Sequence, residues 1–148
     1  MKFIYLLVAS MFVFVACEKE ETEIPNNPIY FSWIIDGNTY SDNSPNIEIN
    51  SSDVLTIDAS DNSVDIRLII YDFSSKVSGD WVEFGILGIN NAYVIQNGVN
   101  HTDTQNGQFT FSEIGESKLT GIFNFKSREL INFQSVTVTD GQFLNITY

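Results

Sequence analysis

Beyond residue 29, apolar and polar positions alternate with a period of two over most of the chain, and turn residues interrupt the alternation at close intervals. That pattern marks half-buried strands, whose successive side chains face opposite sides of a sheet. The run Ile29-Tyr30-Phe31-Ser32-Trp33-Ile34-Ile35 meets Asp36-Gly37 and returns through Asn38-Thr39-Tyr40. This predicts an opening hairpin, because Asp-Gly accepts the positive φ angles of a tight type I′ turn. Ile47 and Ile49, then Leu55 and Ile57, mark two short strands, and residues 58–63 read as a turn. The longest candidate covers residues 64–73. It places Val64, Ile66, Leu68 and Ile70 on one face, with Ile69 and Tyr71 making the other face partly apolar, which predicts a central strand. Further strands are expected over residues 81–87, 92–95, 108–114, 118–126 and 135–139, with Asn97-Gly98 closing one hairpin and Asp140-Gly141 turning the chain into residues 142–148. About ten short strands on short connections predict an all-β domain, an antiparallel β-sandwich or a partly closed barrel, with the sandwich preferred. The pairs Phe109/Phe111 and Phe123/Phe125, each on one face of a strand, are expected in its core.

The first sixteen residues follow another rule. Lys2 precedes an apolar run from Phe3 to Ala16, which ends at Val15-Ala16-Cys17 and is followed by Glu18-Lys19-Glu20-Glu21. The run is shorter than the ~20 residues that cross a bilayer, and a cysteine directly after a small residue is the pattern of a lipoprotein signal. Residues 1–16 are therefore expected to be cleaved, residues 17–28 to form an acidic tether after a lipidated Cys17, and residues 29–148 to form one domain. Cys17 is the only cysteine, so its acylation leaves the domain without disulfides, a thiolate nucleophile or Cys-ligated zinc. The group Lys19-Glu20-Glu21 is similar to the short lysine-and-acid export signal of Bacteroidota surface lipoproteins. It implies the outer membrane and the cell surface. The plainer reading is a solvated tether.

A wider resemblance lies at the two ends of the domain. Leu119-Thr120-Gly121-Ile122-Phe123-Asn124-Phe125, followed by Val136-Thr137-Val138-Thr139-Asp140-Gly141-Gln142-Phe143, resembles the ending of a family of small Bacteroidota lipoproteins of unknown function. That family closes with a Gly-x-Phe-x-Phe strand and an Asn/Asp-Gly-x-Phe hairpin. The opening Ile34-Ile35-Asp36-Gly37-Asn38-Thr39-Tyr40 is similar to its start, with Asn38 and Tyr40 in place of the common lysine and tryptophan. The resemblance implies an all-β lipoprotein and lends no activity.

Charge and side-chain inventory narrow the chemistry. Nineteen acidic residues against seven basic ones give a net charge of −12, which argues against a nucleic-acid partner. His101 is the sole histidine, within the polar residues 97–108, and is expected to be a solvated loop residue; no catalytic residue is assigned. Asp58, Asp61 and Asp65 supply the hard oxygens that Ca²⁺ prefers, but their spacing does not match an EF-hand, and acids in turns are explained by local backbone hydrogen bonds. No cofactor is expected, Ca²⁺ being the one weak candidate. Trp33, Tyr40, Trp81 and Tyr93 are candidate binding aromatics for a glycan or protein partner, with core packing the better first reading for the two tryptophans. The expected function is that of a membrane-anchored, non-catalytic binding or structural module. A small barrel carrying an apolar ligand and a hydrolase built on carboxylates or His101 are the alternatives.

Overall fold

Asp36 and Gly37 adopt φ angles of 51° and 77°, and Asn97 and Gly98 angles of 51° and 79°. Both dipeptides form two-residue hairpin turns, with Ile35 opposite Asn38 and Gln96 opposite Val99, as positive φ at both central positions requires. The computed structural model describes residues 30–86 and 88–148. The segment expected to be a signal, Cys17, Lys19, Glu20, Glu21 and the rest of the expected tether lie outside the described residues.

The described elements are β1 (Tyr30–Ile35), β2 (Asn38–Asp42), β3 (Asn46–Ile49), β4 (Val54–Asp61), β5 (Val64–Tyr71), a 3-10 turn (Phe73–Ser75), β6 (Trp81–Gly85), β7 (Asn91–Gln96), β8 (Val99–His101), β9 (Asp103–Ile114), β10 (Lys118–Arg128) and β11 (Ser135–Thr147). They form two antiparallel sheets, one ordered β2-β1-β11-β10-β9-β6 and the other β3-β4-β5-β7-β8. The domain is a sandwich and not a barrel, and the long alternating strand β5 is the central strand of the smaller sheet. No described helix is long and apolar enough to cross a membrane.

Two expected turns are strand instead. Asp58–Asp61 is the end of β4, because Asp58 to Asp61 pair in register with Arg67 to Val64; the turn is only Asn62-Ser63. Asp140-Gly141 does not reverse the chain either. It lies within the 13-residue strand β11, where Asp140 takes φ 48° and the register to both neighbours shifts. An extra residue in the left-handed region bends a strand without ending it.

That bend explains the two Gly-x-Phe motifs. In the register of β10 against β11, Gly121 faces Phe143 and Gly141 faces Phe123, so each glycine lies beneath the ring carried by the other strand. A Cβ on Gly121 would stand 2.5 Å from both Phe143 Cζ and the Thr110 carbonyl oxygen, and one on Gly141 would enter the Phe123 ring. The freed space is filled by aromatics. Phe31 packs 5.2 Å from Phe123 between ring centroids, Phe109 lies 5.2 Å from Phe143, and Phe109 meets Phe111 edge to face at 4.6 Å. Phe109, Phe111, Phe123 and Phe125 are all buried, as their shared faces predict. Together with Leu55, Ile57, Ile66, Leu68 and Ile70 from the smaller sheet they make one core.

Where the smaller sheet runs out of strands, side chains of the larger sheet complete its hydrogen bonds. Short β8 reaches only to Val94 of β7, which leaves the buried Ala92 without a strand partner on that side. Thr104 Oγ1 accepts from the Ala92 N–H at 3.1 Å and donates to its carbonyl at 2.8 Å, and Ser127 Oγ donates to the same carbonyl at 2.6 Å. At the far edge the main-chain N–H of Ser41 donates to Asp61 and that of Ser60 to Asp42, at 2.7 and 2.8 Å. The Ala92 bonds tie the sheets together where a buried backbone group must find a partner, and the two edge bonds add an exposed tie at the other side.

Strand directions also orient the molecule. β11 runs antiparallel to β1 and β10, and β9 antiparallel to β10 and β6. β1, β6 and β10 therefore point the same way. The chain enters the larger sheet at one end, and the connections after β6 and β10 stand at the other.

Candidate functional site

The outward face of the smaller sheet carries a row of polar side chains fixed by register. Asn46 of β3 lies opposite Asp58 of β4, Asp58 opposite Arg67 of β5, and Arg67 opposite Tyr93 of β7. Alternation turns the buried partners Ile57, Ala59, Ile66, Leu68, Ala92 and Val94 inward and leaves this row facing out. The next row pairs Ser60 with Asp65 and Asp65 with Ile95. Between them opens a groove of about 700 Å³, edged by Asp42 from the end of β2. Its size falls within the range of small-molecule sites.

Arg67 and Asp58 form a two-pronged pair on the groove floor, with Nε 2.5 Å from Oδ1 and Nη2 3.0 Å from Oδ2. The hydrogen bond to Asp58, reinforced by its charge, raises the guanidinium pKa further above its ordinary value. The pair is locally neutral, yet its outer N–H groups and carboxylate lone pairs remain directed at the groove, because a guanidinium has five N–H donors and a carboxylate about four acceptor sites. Tyr93 stands beside it and offers a half-buried ring face. The Ser60 hydroxyl donates to Asp65, which orients that carboxylate without covering it.

The three aspartates considered for Ca²⁺ are separated by this geometry. Asp58 and Asp65 share the groove, one held by Arg67 and the other by Ser60, whereas Asp61 turns to the β2 edge and accepts from the Ser41 N–H and the Asn62 amide. Among the described residues no three His, Cys, Asp or Glu side chains are grouped to hold a metal ion.

His101 is not a solvated loop residue. It lies in β8, is buried, and its Nδ1 stands 3.2 Å from the Gln134 carbonyl oxygen. The nearby carboxylate, Asp103, is paired with Arg128 at 2.5 Å. Nothing in the local sequence signals this burial, because the carbonyl that His101 meets, that of Gln134, comes from 33 residues further on.

The four candidate aromatics do not form one platform. Trp33 is fully buried and stacks on Tyr40 with centroids 5.8 Å apart. Trp81, for which core packing was the first reading, is 56% exposed on edge strand β6. The alternation carried the correction: Val82 and Phe84 face inward, which turns Trp81 out. Only Tyr93 lines the groove. Its companions Asp42, Asn46 and Arg67 were not foreseen. Their one signal is the polar phase of β5, Asp65 and Arg67, set against Tyr93 and Ile95 of β7. In comparison with known proteins the chain matches no family model, no curated protein and no solved structure.

Proposed function

We propose that this chain is a lipid-anchored binding protein of the outer membrane surface, and that its groove takes a neutral, hydroxyl-rich ligand of the carbohydrate class without transforming it. The observation that carries the ligand reading is the Asp58–Arg67 pair beside Tyr93. A sugar hydroxyl donates and accepts at once, so vicinal hydroxyls match a surface where acceptor and donor stand side by side. A tyrosine face suits the apolar C–H side of a sugar ring. Asp42, Asp58 and Asp65 against one Arg67 leave the groove acidic, which disfavours phosphates and acidic sugars. Cys17 after its apolar run, with Lys19-Glu20-Glu21 behind it, supports the anchor and its export.

Anchor and groove are tested separately. Fatty-acid labelling of cells should mark the full chain and fail on Cys17→Ala; label retained on that variant refutes the anchor. In a titration of the isotope-labelled domain with neutral oligosaccharides, groove amides should shift, and Tyr93→Ala and Arg67→Ala should each weaken binding at least ~10-fold. The exposed ion pair contributes at most about 1 kcal/mol to folding, so Arg67→Ala should stay folded. Sugar binding that is indifferent to both substitutions refutes the groove.

A further inference from the structure

The connection between β10 and β11 is a short loop that displays apolar side chains from a rigid frame. The Glu129 N–H donates to the Gln134 carbonyl at 2.8 Å and closes it. The Asn132 amide lies 3.1 Å from both Glu129 carboxylate oxygens. The Arg128 guanidinium, held by Asp103, lies over the Phe133 ring at 5.3 Å, and buried His101 approaches the Gln134 carbonyl. On this frame Leu130 is 64% exposed, Ile131 81% and Phe133 64%. Phe133 also takes φ 59°, a region bulky residues avoid unless their surroundings impose it. Three apolar side chains facing water and a strained aromatic are both unfavourable in the isolated domain.

We infer that the Glu129–Gln134 loop is a preformed docking tip, which inserts Leu130, Ile131 and Phe133 into an apolar socket, rimmed by basic residues, on a partner protein. Rigid aromatic and aliphatic anchors lose little entropy on binding. Two observations choose a protein over a membrane. The chain enters the larger sheet at the end opposite this loop, so a domain held through residues 17–28 presents the loop away from its own bilayer. The chain's charge of −12 opposes any anionic lipid surface and favours a basic rim. The inference rests on the anchor proposed above and is independent of the groove.

The test places a photo-crosslinking amino acid at Ile131 of the full anchored chain in its native cells, with the same probe at exposed Asn124 as control. One protein adduct from position 131 and none from 124 is expected. The purified adduct partner should then bind the domain in a salt-sensitive way, and Ile131→Asp should weaken that binding at least ~10-fold. Phe133→Gly should also lose binding while its Tm stays level or rises, because glycine accepts the left-handed backbone. No adduct, adducts to lipid or to a second copy, equal adducts at both positions, or undiminished binding by both variants would overturn the docking tip. The acylation result is read apart from these: persistent label on Cys17→Ala refutes the anchor, whereas a missing adduct on a correctly anchored chain refutes the tip.

Discussion

Gly141→Ala should destabilise the domain by about 3 kcal/mol, at the upper end of what overpacking a core costs. The new methyl group would enter the Phe123 ring, and that ring cannot retreat, because Phe31 and Phe125 hold it at centroid distances of 5.2 and 6.3 Å. Chemical denaturation should show the loss with little change in m, and Tm should fall on the order of 10 °C. Gly121→Ala should be as severe, since its Cβ meets the Thr110 carbonyl as well as Phe143 and a backbone oxygen cannot swing aside. A double-mutant cycle provides the check on cause. Adding Phe123→Leu to Gly141→Ala should restore part of the stability, whereas additive losses would show that backbone strain and not ring contact is responsible.

The second large effect is expected where two hydroxyls serve the backbone of one residue, Ala92. Thr104→Val keeps shape but strands the Ala92 N–H, at a cost of about 2 kcal/mol for a buried donor left unpaired. Ser127→Ala alone should cost less, because Thr104 still donates to the Ala92 carbonyl. The double variant leaves that carbonyl bare too, so its loss should exceed the sum of the single losses and reach about 4 kcal/mol. Strict additivity in urea melts would show that water replaces the hydroxyls.

These sites also show what a linear pattern can carry. Asp36-Gly37 and Asn97-Gly98 were legible as turns because their chemistry and their place between alternating runs agree. Asp140-Gly141 carries the same chemistry and bends a continuous strand. The difference lies in the neighbours that hold it on both sides, β1 and β10, which are distant in sequence. The core phases of β5, β9 and β10 were legible because one face of each strand is apolar, whereas Trp81 was expected in the core and stands exposed because Val82 and Phe84 take the inward phase of β6. The groove was not, since Asn46, Asp58, Arg67 and Tyr93 form a row only through the register of four strands. A period of two tells which side chains share a face but is silent about which of them stand abreast. His101 fails for a related reason, its cover being a loop formed after two further strands.

β1 lies between β2 and β11, with Phe31 opposite Phe143. The first strand described thus waits for the last, and the larger sheet cannot close until nearly the whole chain is present. Such long-range pairing slows folding, because loop-closure entropy must be overcome before the contacts that reward it can form. Until residues 135–147 are present, Phe31 and Ile35 lack their β11 partners Phe143 and Val138, and one whole edge of β1 stays unpaired.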